Sequence, residues 1–135
     1  MQMRPQTVIN QINEIFNTEG YREKVYNFLN KFSQCEVYAR YFLEKYLDDI
    51  APEDIALIRE DIISAFNENG IYFDDERIIT FIFGKGDKSQ KRACRILRNK
   101  ITHKLNKTCV NKVVTRYEEL ISTMNNFIQI VDEQS

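Results

Sequence analysis

Residues 21–46, YREKVYNFLNKFSQCEVYARYFLEKY, decide the fold class that the sequence predicts. Apolar side chains recur in this stretch at alternating steps of four and three residues, the spacing of one buried face of an α-helix. They are Val25, Phe28, Phe32, Cys35, Ala39, Phe42 and Tyr46. Because no Pro or Gly separates Tyr21 from Pro52, the simplest interpretation is one long helix whose aromatic stripe packs in the core. A break near residues 30–33 is the alternative, since Asn and Ser are weaker helix formers.

The flanking sequence predicts further helices, bounded by residues that begin or end such elements. They are expected from Pro5 to Asn17, from Pro52 to Asn67 with Ile55, Ile58, Ile62 and Phe66 buried, from Arg77 to Phe83, from Ser89 to Asn106, and from Thr108 to Val131. Residues 77–83 would also suit a strand, but we favour a short buried helix. Asp132 to Ser135 is expected to be a frayed polar tail.

The whole composition is typical of one soluble domain. With 135 residues, 43% of them hydrophobic, the chain can bury one core without needing a disulfide or a metal ion to fold. We therefore predict a single all-α domain over residues 1–135, an antiparallel bundle of about five to six helices. The polar start shows no secretory signal, and no apolar run approaches eighteen residues, so we expect a cytoplasmic protein without membrane contact.

The cysteines give no sign of a metal or cofactor site. Cys35, Cys94 and Cys109 are widely spaced, form no C-x-x-C pair, and share the chain with one histidine. We expect reduced thiols that pack as small hydrophobic side chains, no metal and no cofactor.

Charge is distributed unevenly along the chain. From Gly84 to Arg116 there are eleven Lys and Arg residues and one acid, Asp87, a net charge of +10, while the rest of the chain carries −11. Such a basic segment can bind a polyanion. The alternative is that it faces the acidic segments within the fold.

The segment around His103, the only histidine, has two distinct faces if it is helical. Ala93, Cys94, Leu97, Ile101 and Leu105 gather on the side expected to pack into the bundle. Arg95, Arg98, Asn99, Thr102, His103 and Asn106 share an opposite arc of about 140°, with no carboxylate among them. An arc of this composition differs from the mixed charges of an ordinary solvated helix face.

The residue types on this arc suit cleavage of RNA. Histidine can take and give a proton near neutral pH, and arginine presents a permanent planar cation to phosphate oxygens. Asparagine can orient a ring nitrogen or a hydroxyl without adding charge. Attack of a ribose 2′-OH on its own phosphate needs both a base and an acid, whereas each chain has one histidine. A symmetric dimer that brings two copies of His103 to one cleft would supply both.

The stretch Arg98-Asn99-Lys100-Ile101-Thr102-His103 resembles the R-x-x-x-x-H motif of HEPN domains. This family consists of helical bundles that dimerise about the motif helix, and many members are metal-independent ribonucleases of toxin–antitoxin, abortive-infection and CRISPR systems. The resemblance implies a homodimeric endoribonuclease of the toxin or defence type that cuts single-stranded RNA. An antitoxin or a regulatory protein would be a further partner.

The resemblance also implies roles for individual residues. His103 would be the general acid or base, Arg98 would bind phosphate and stabilise the transition state, and Asn99 would orient the reacting groups. Lys91, Arg95, Thr102 and Lys104 are expected to contact RNA because of their charge or position. Some HEPN toxins paired with nucleotidyltransferase antitoxins have Tyr two residues after the histidine, where this chain has Leu105, which argues against that subclass.

Two other functions are compatible with the same residues. A HEPN-like protein could bind RNA or a nucleotide without cutting it, with His103 in no catalytic role. A helical interaction module could instead use the basic segment to dock an acidic protein.

Overall fold

The computed structural model describes residues 4–48, 50–51, 55–85, 93–103 and 107–135, with the backbone alone at residue 12. These residues form seven helices and no strand. The helices are α1 (Pro5–Phe16), α2 (Tyr21–Tyr46), α3 (Arg59–Glu68), α4 (Arg77–Phe83), α5 (Cys94–His103), α6 (Lys107–Thr115) and α7 (Tyr117–Gln134). The predicted all-α bundle is confirmed, with more helices than expected. In the part of the chain described, no helix combines the length and the apolar character needed to cross a bilayer.

Helix α2 is the central element, and it packs against α1, α3, α5, α6 and α7. It runs unbroken through residues 30–33, so the single long helix is confirmed. Asn30 and Ser33 are exposed, while Phe28 and Phe32 beside them are fully buried. Burial of these rings outweighs the small difference in helix propensity between residue types. At the end of the helix Tyr46 is exposed and Leu43 is buried, so the predicted apolar face ends earlier than expected.

The helix predicted to begin at Pro52 begins later in the structure, so the predicted start is wrong. Pro52 itself lies outside the described residues, and Ile55 to Ile58 are not helical. In this segment Ile55 and Leu57 are buried while Ile58 is exposed, and the Ile58 N–H donates to the Ala56 carbonyl oxygen at 3.0 Å, which makes a tight three-residue turn. Arg40 of α2 donates a hydrogen bond from Nη1 to the Ile55 carbonyl oxygen, at 3.1 Å. The segment thus covers the core without forming a helix, and α3 begins only at Arg59.

The short segment Arg77–Phe83 is a helix, as predicted, and not a strand. Ile79, Ile82 and Phe83 are fully buried, which explains its uniformly apolar sequence. Gly84 ends it with a positive φ of 77°. The next helix was predicted from Ser89 to Asn106. Of that range, Cys94–His103 is observed as α5, Ala93 lies before the helix, and the remaining residues lie outside the described part.

The last predicted helix, Thr108 to Val131, is two helices that meet at Arg116. Arg116 has φ −99° and ψ 13°, and the helical type of hydrogen bonding continues across it, from Arg116 N to Lys112 O at 3.0 Å and from Leu120 N to Arg116 O at 2.9 Å. On either side of this break, α6 packs on α1 and α5 while α7 packs on α4.

The prediction of a frayed tail from Asp132 to Ser135 is also wrong, because α7 continues to Gln134. The Gln134 amide binds the backbone of Tyr72 twice, accepting from its N–H at 2.9 Å and donating to its carbonyl at 2.7 Å. Tyr38 of α2 donates to Asp132 Oδ1 at 2.6 Å. These contacts hold the last turn of the helix against the rest of the molecule.

Candidate functional site

Burial of its apolar side sets the orientation of helix α5 about its own axis. Cys94, Leu97 and Ile101 are buried, as the helical period predicts. The opposite side therefore faces outward, where His103 is exposed and Asn99 is half-buried. Both residues therefore lie on the side of α5 away from the core, as the helical period predicted.

Asn99 and His103 line one cleft of about 600 Å³ between α5 and α6. Its residues are Ile96, Asn99, Lys100 and His103 of α5 and Thr108, Cys109 and Lys112 of α6. No carboxylate is among these described residues. They place two lysines, an imidazole, an amide and a hydroxyl around one opening, a set of groups that suits a phosphate.

A second cavity of about 410 Å³ lies beside this cleft along α6. It is lined by Thr108, Asn111, Lys112, Thr115 and Arg116, so the two cavities share Thr108 and Lys112. We call the residues of both cavities together the α5–α6 groove. The described residues that line its second cavity also include no carboxylate.

Arg98 lies outside the groove, against α2. Its Nη2 is 3.3 Å from Glu36 Oε2, and its guanidinium carbon is 4.8 Å from the centre of the Phe32 ring. The Arg98 Nε is buried without a hydrogen-bond partner in the described part of the chain. The structure therefore brings Asn99 and His103 together but does not bring Arg98 to them. Phosphate binding by Arg98 stays a prediction.

The predicted RNA-contacting residues have different surroundings. Arg95 is half-buried and donates from Nε to the Phe83 carbonyl oxygen at 2.7 Å, at the end of α4. Thr102 is exposed, and its hydroxyl donates back to the Arg98 and Asn99 carbonyl oxygens at 3.0 and 3.3 Å. Neither residue lines the groove. Lys91 and Lys104 lie outside the described residues.

The basic segment pairs only in part with acids of the same chain. Two of its arginines pair with acids of the same chain, Arg98 with Glu36 and Arg116 with Glu119 at 3.6 Å. Lys100, Lys107 and Lys112 are exposed and form no ion pair with any residue that the structure describes. Among the described residues of this segment, the exposed positive charge is therefore carried by lysines.

Lys100, Thr108 and Lys112 are site residues that the helical pattern around His103 did not predict. Lys100 is separated from His103 by about 60° on a helical wheel, so the wheel could have included it. Lys112 and Thr108 belong to another helix, and only the packing of α6 beside α5 brings them to His103.

The three cysteines are free and buried. Burial raises the pKa of the Cys94 thiol to about 12 and raises the pKa of Cys35 further above its usual range. Cys109 lines the cleft but is only 3% exposed. Because the thiolate is the nucleophilic form, Cys35 and Cys94 are poor candidates for catalysis. Among the described residues, no three His, Cys, Asp or Glu side chains are placed to hold a metal ion.

No protein-family profile, no curated protein and no solved structure matches this chain. The resemblance to HEPN domains accordingly rests on the Arg98 to His103 motif and its helical setting. Function is therefore inferred from the residues of the groove.

Proposed function

We propose that this protein is a metal-independent endoribonuclease that cuts single-stranded RNA as a homodimer, with His103 as general acid or base. The observation that carries the proposal is the cleft in which His103 and Asn99 lie with Lys100 and Lys112, with no carboxylate among its described lining residues. A negatively charged strand can enter such a cleft without repulsion from these residues.

In this reaction the base takes the proton of a ribose 2′-OH, and its oxygen forms a bond to the adjacent phosphorus. The bond from phosphorus to the 5′ oxygen of the next nucleotide breaks, and that oxygen receives a proton from the acid. The products are a 2′,3′-cyclic phosphate and a 5′-hydroxyl end. Two proton-transfer groups are needed, so His103 of each copy in a symmetric dimer would act on one scissile phosphate.

Neighbouring residues have supporting roles in this proposal. Lys100 and Lys112 stabilise the negative charge that increases on the phosphorane oxygens in the transition state. Asn99, one helical turn before His103, can hold the imidazole or the 2′-OH in position through its amide.

A second candidate function is RNA binding without cleavage. It is favoured by the position of Arg98, the cation of the R-x-x-x-x-H motif, which binds Glu36 and not the groove. In that case the groove would bind RNA through its lysines, and His103 would take no part in catalysis.

The test is an RNase assay in EDTA on the wild type and on His103→Ala. We expect wild-type protein to leave 2′,3′-cyclic phosphate ends, and we expect His103→Ala to lose at least about 100-fold in rate, the usual contribution of a general acid or base. Light scattering should give twice the 16.1 kDa chain mass for both proteins. Asn125→Ala, which removes an exposed side chain from α7 that lines neither cavity, is the matched control.

Cleavage by His103→Ala at the wild-type rate would refute the catalytic role of His103. Tight RNA binding by a wild type that never cleaves would select the second candidate function.

A further inference from the structure

Lys112 has the surroundings of a phosphate-binding residue. It lines both cavities of the α5–α6 groove, and it shares the first with His103. Its side chain is exposed and forms no ion pair with any part of the chain that the structure describes. An ammonium group in this position can bind an incoming anion without first giving up a carboxylate partner from the described residues.

The described arginines in or near the groove are engaged in packing. Arg95 binds the end of α4 through the Phe83 carbonyl, and Arg98 binds α2 through Glu36. Arg116 pairs with Glu119 and lies over the Phe81 ring, with its guanidinium carbon 5.4 Å from the ring centre. To bind phosphate, Arg98 would have to give up its contacts with both Glu36 and Phe32. A lysine without such contacts binds an anion at a lower cost in free energy.

Polar side chains continue from Lys112 along one side of α6. Thr108, Asn111 and Thr115 line the second cavity, and their spacing of three and four residues places them on the same helical face. From Thr108 to Thr115 this face is about 10 Å long. Hydroxyl and amide groups of this kind bind phosphate and sugar oxygens without selecting a base.

From this placement we propose that α6 is the second wall of the RNA site, with Lys112 binding the phosphodiester backbone together with Lys100 and the strand continuing past Thr115. The proposal rests on the proposed function only in taking RNA as the ligand. It assigns the main phosphate contact within one subunit to Lys112 and not to Arg98.

The experiment measures binding of a labelled single-stranded RNA by fluorescence anisotropy over a range of NaCl concentrations. All proteins carry His103→Ala so that the RNA stays intact. For single strands the slope of log K against log salt is about −0.7 for each phosphate that the protein neutralises. We expect Lys112→Ala to weaken binding at low salt and to make the slope less steep by about 0.7.

Two variants serve as controls. Lys112→Arg keeps the charge and should retain the slope. Lys45→Ala removes one charge from α2, where the lysine contacts the Tyr41 and Phe42 rings and lines neither cavity, and should also leave the slope unchanged.

The possible failures are distinguishable. Equal slopes for Lys112→Ala and Lys45→Ala would overturn the assignment of Lys112 and leave cleavage by His103 standing. A slope that depends on Lys112, in a protein whose wild type never cleaves, would support the assignment and refute the nuclease activity. Absence of RNA binding by all variants would overturn the assignment of Lys112, and absence of cleavage by the wild type as well would overturn both proposals.

Discussion

Arg98 and Asn99 are adjacent in the chain but contact different parts of the molecule. One step along a helix turns the side-chain direction by 100°, so Arg98 reaches the edge of the buried face while Asn99 reaches the cleft. The guanidinium of Arg98 then lies between Glu36 and Phe32 of α2. Within one subunit, the arginine of the R-x-x-x-x-H motif thus packs against α2, while the histidine lines the open cleft.

Arg98→Met should lower the free energy of unfolding by about 2 kcal/mol, because it removes a charged hydrogen bond and a cation–π contact from a site that is only 26% exposed. Urea denaturation followed by circular dichroism would measure the change. Lys100→Met is the matched control on the same helix, since this exposed lysine has no acidic partner in the described structure, and its effect should stay within about 0.5 kcal/mol.

The opposite outcome is informative. If Arg98→Met unfolds at the same urea concentration as the wild type but no longer cleaves RNA, Arg98 acts on phosphate as the motif predicts.

At the scale of single elements, helix ends are determined by backbone conformation as much as by side-chain pattern. Helix α3 ends in a Schellman motif, in which Ile71 N–H binds the Phe66 carbonyl at 2.9 Å and Gly70 N–H binds the Asn67 carbonyl at 3.0 Å. Gly70 has a φ of 77°, and Ile71 and Phe66 are both fully buried. The motif therefore ends the helix and directs the chain back into the core.

Gly70→Ala should cost about 1 kcal/mol, because an L-residue is strained at this positive φ. A Cβ at Gly70 would meet no atom within 4 Å, so the whole cost comes from the backbone and not from a clash. Thermal unfolding should show a decrease in Tm of about 4 °C. Gly70→Asn is the comparison, since Asn tolerates the left-handed region, and it should lose less. Equal losses for Ala and Asn would contradict this explanation.

At the scale of the whole molecule, an aromatic cluster joins elements distant in sequence. The Phe127 ring of α7 lies 5.8 Å from Phe66 of α3, 5.6 Å from Phe73 and 5.7 Å from Phe83 of α4, measured between ring centres. Phe42 of α2 lies 5.0 Å from Phe66. The cluster holds α2, α3, α4 and α7 around one core, which in turn positions α5 and its exposed face.

Phe127→Ala should lower the free energy of unfolding by about 3 to 5 kcal/mol, the usual cost of removing a fully buried aromatic ring. Phe127→Leu should cost less because it leaves a smaller cavity. Chemical denaturation measures both, and Tyr26→Ala, at a side chain 67% exposed on α2, should change stability by no more than about 0.5 kcal/mol. A loss at Phe127 no larger than at Tyr26 would show that the cluster is not the centre of the core.

The sequence by itself determined the helical class, most of the helical segments, and the neighbourhood of Asn99 and His103. These features depend on side chains within one or two turns of each other, so a period of 3.6 residues is enough to predict them. The same period could not reveal the break at Arg116, because Val113, Leu120, Met124 and Phe127 would share one face of an unbroken helix as well. It also could not reveal the non-helical segment Ile55 to Ile58, which is held by burial of Ile55 and Leu57 and by a hydrogen bond from Arg40.

The tertiary structure alone decided which cations are available at the candidate site. Glu36 is 62 residues from Arg98 in the chain, so the absence of acids near Arg98 in sequence said nothing about the partner that it meets in the fold. Lys112 shares a cleft with His103 because α6 packs beside α5. Contacts between helices depend on how the whole core packs, and no local pattern encodes them.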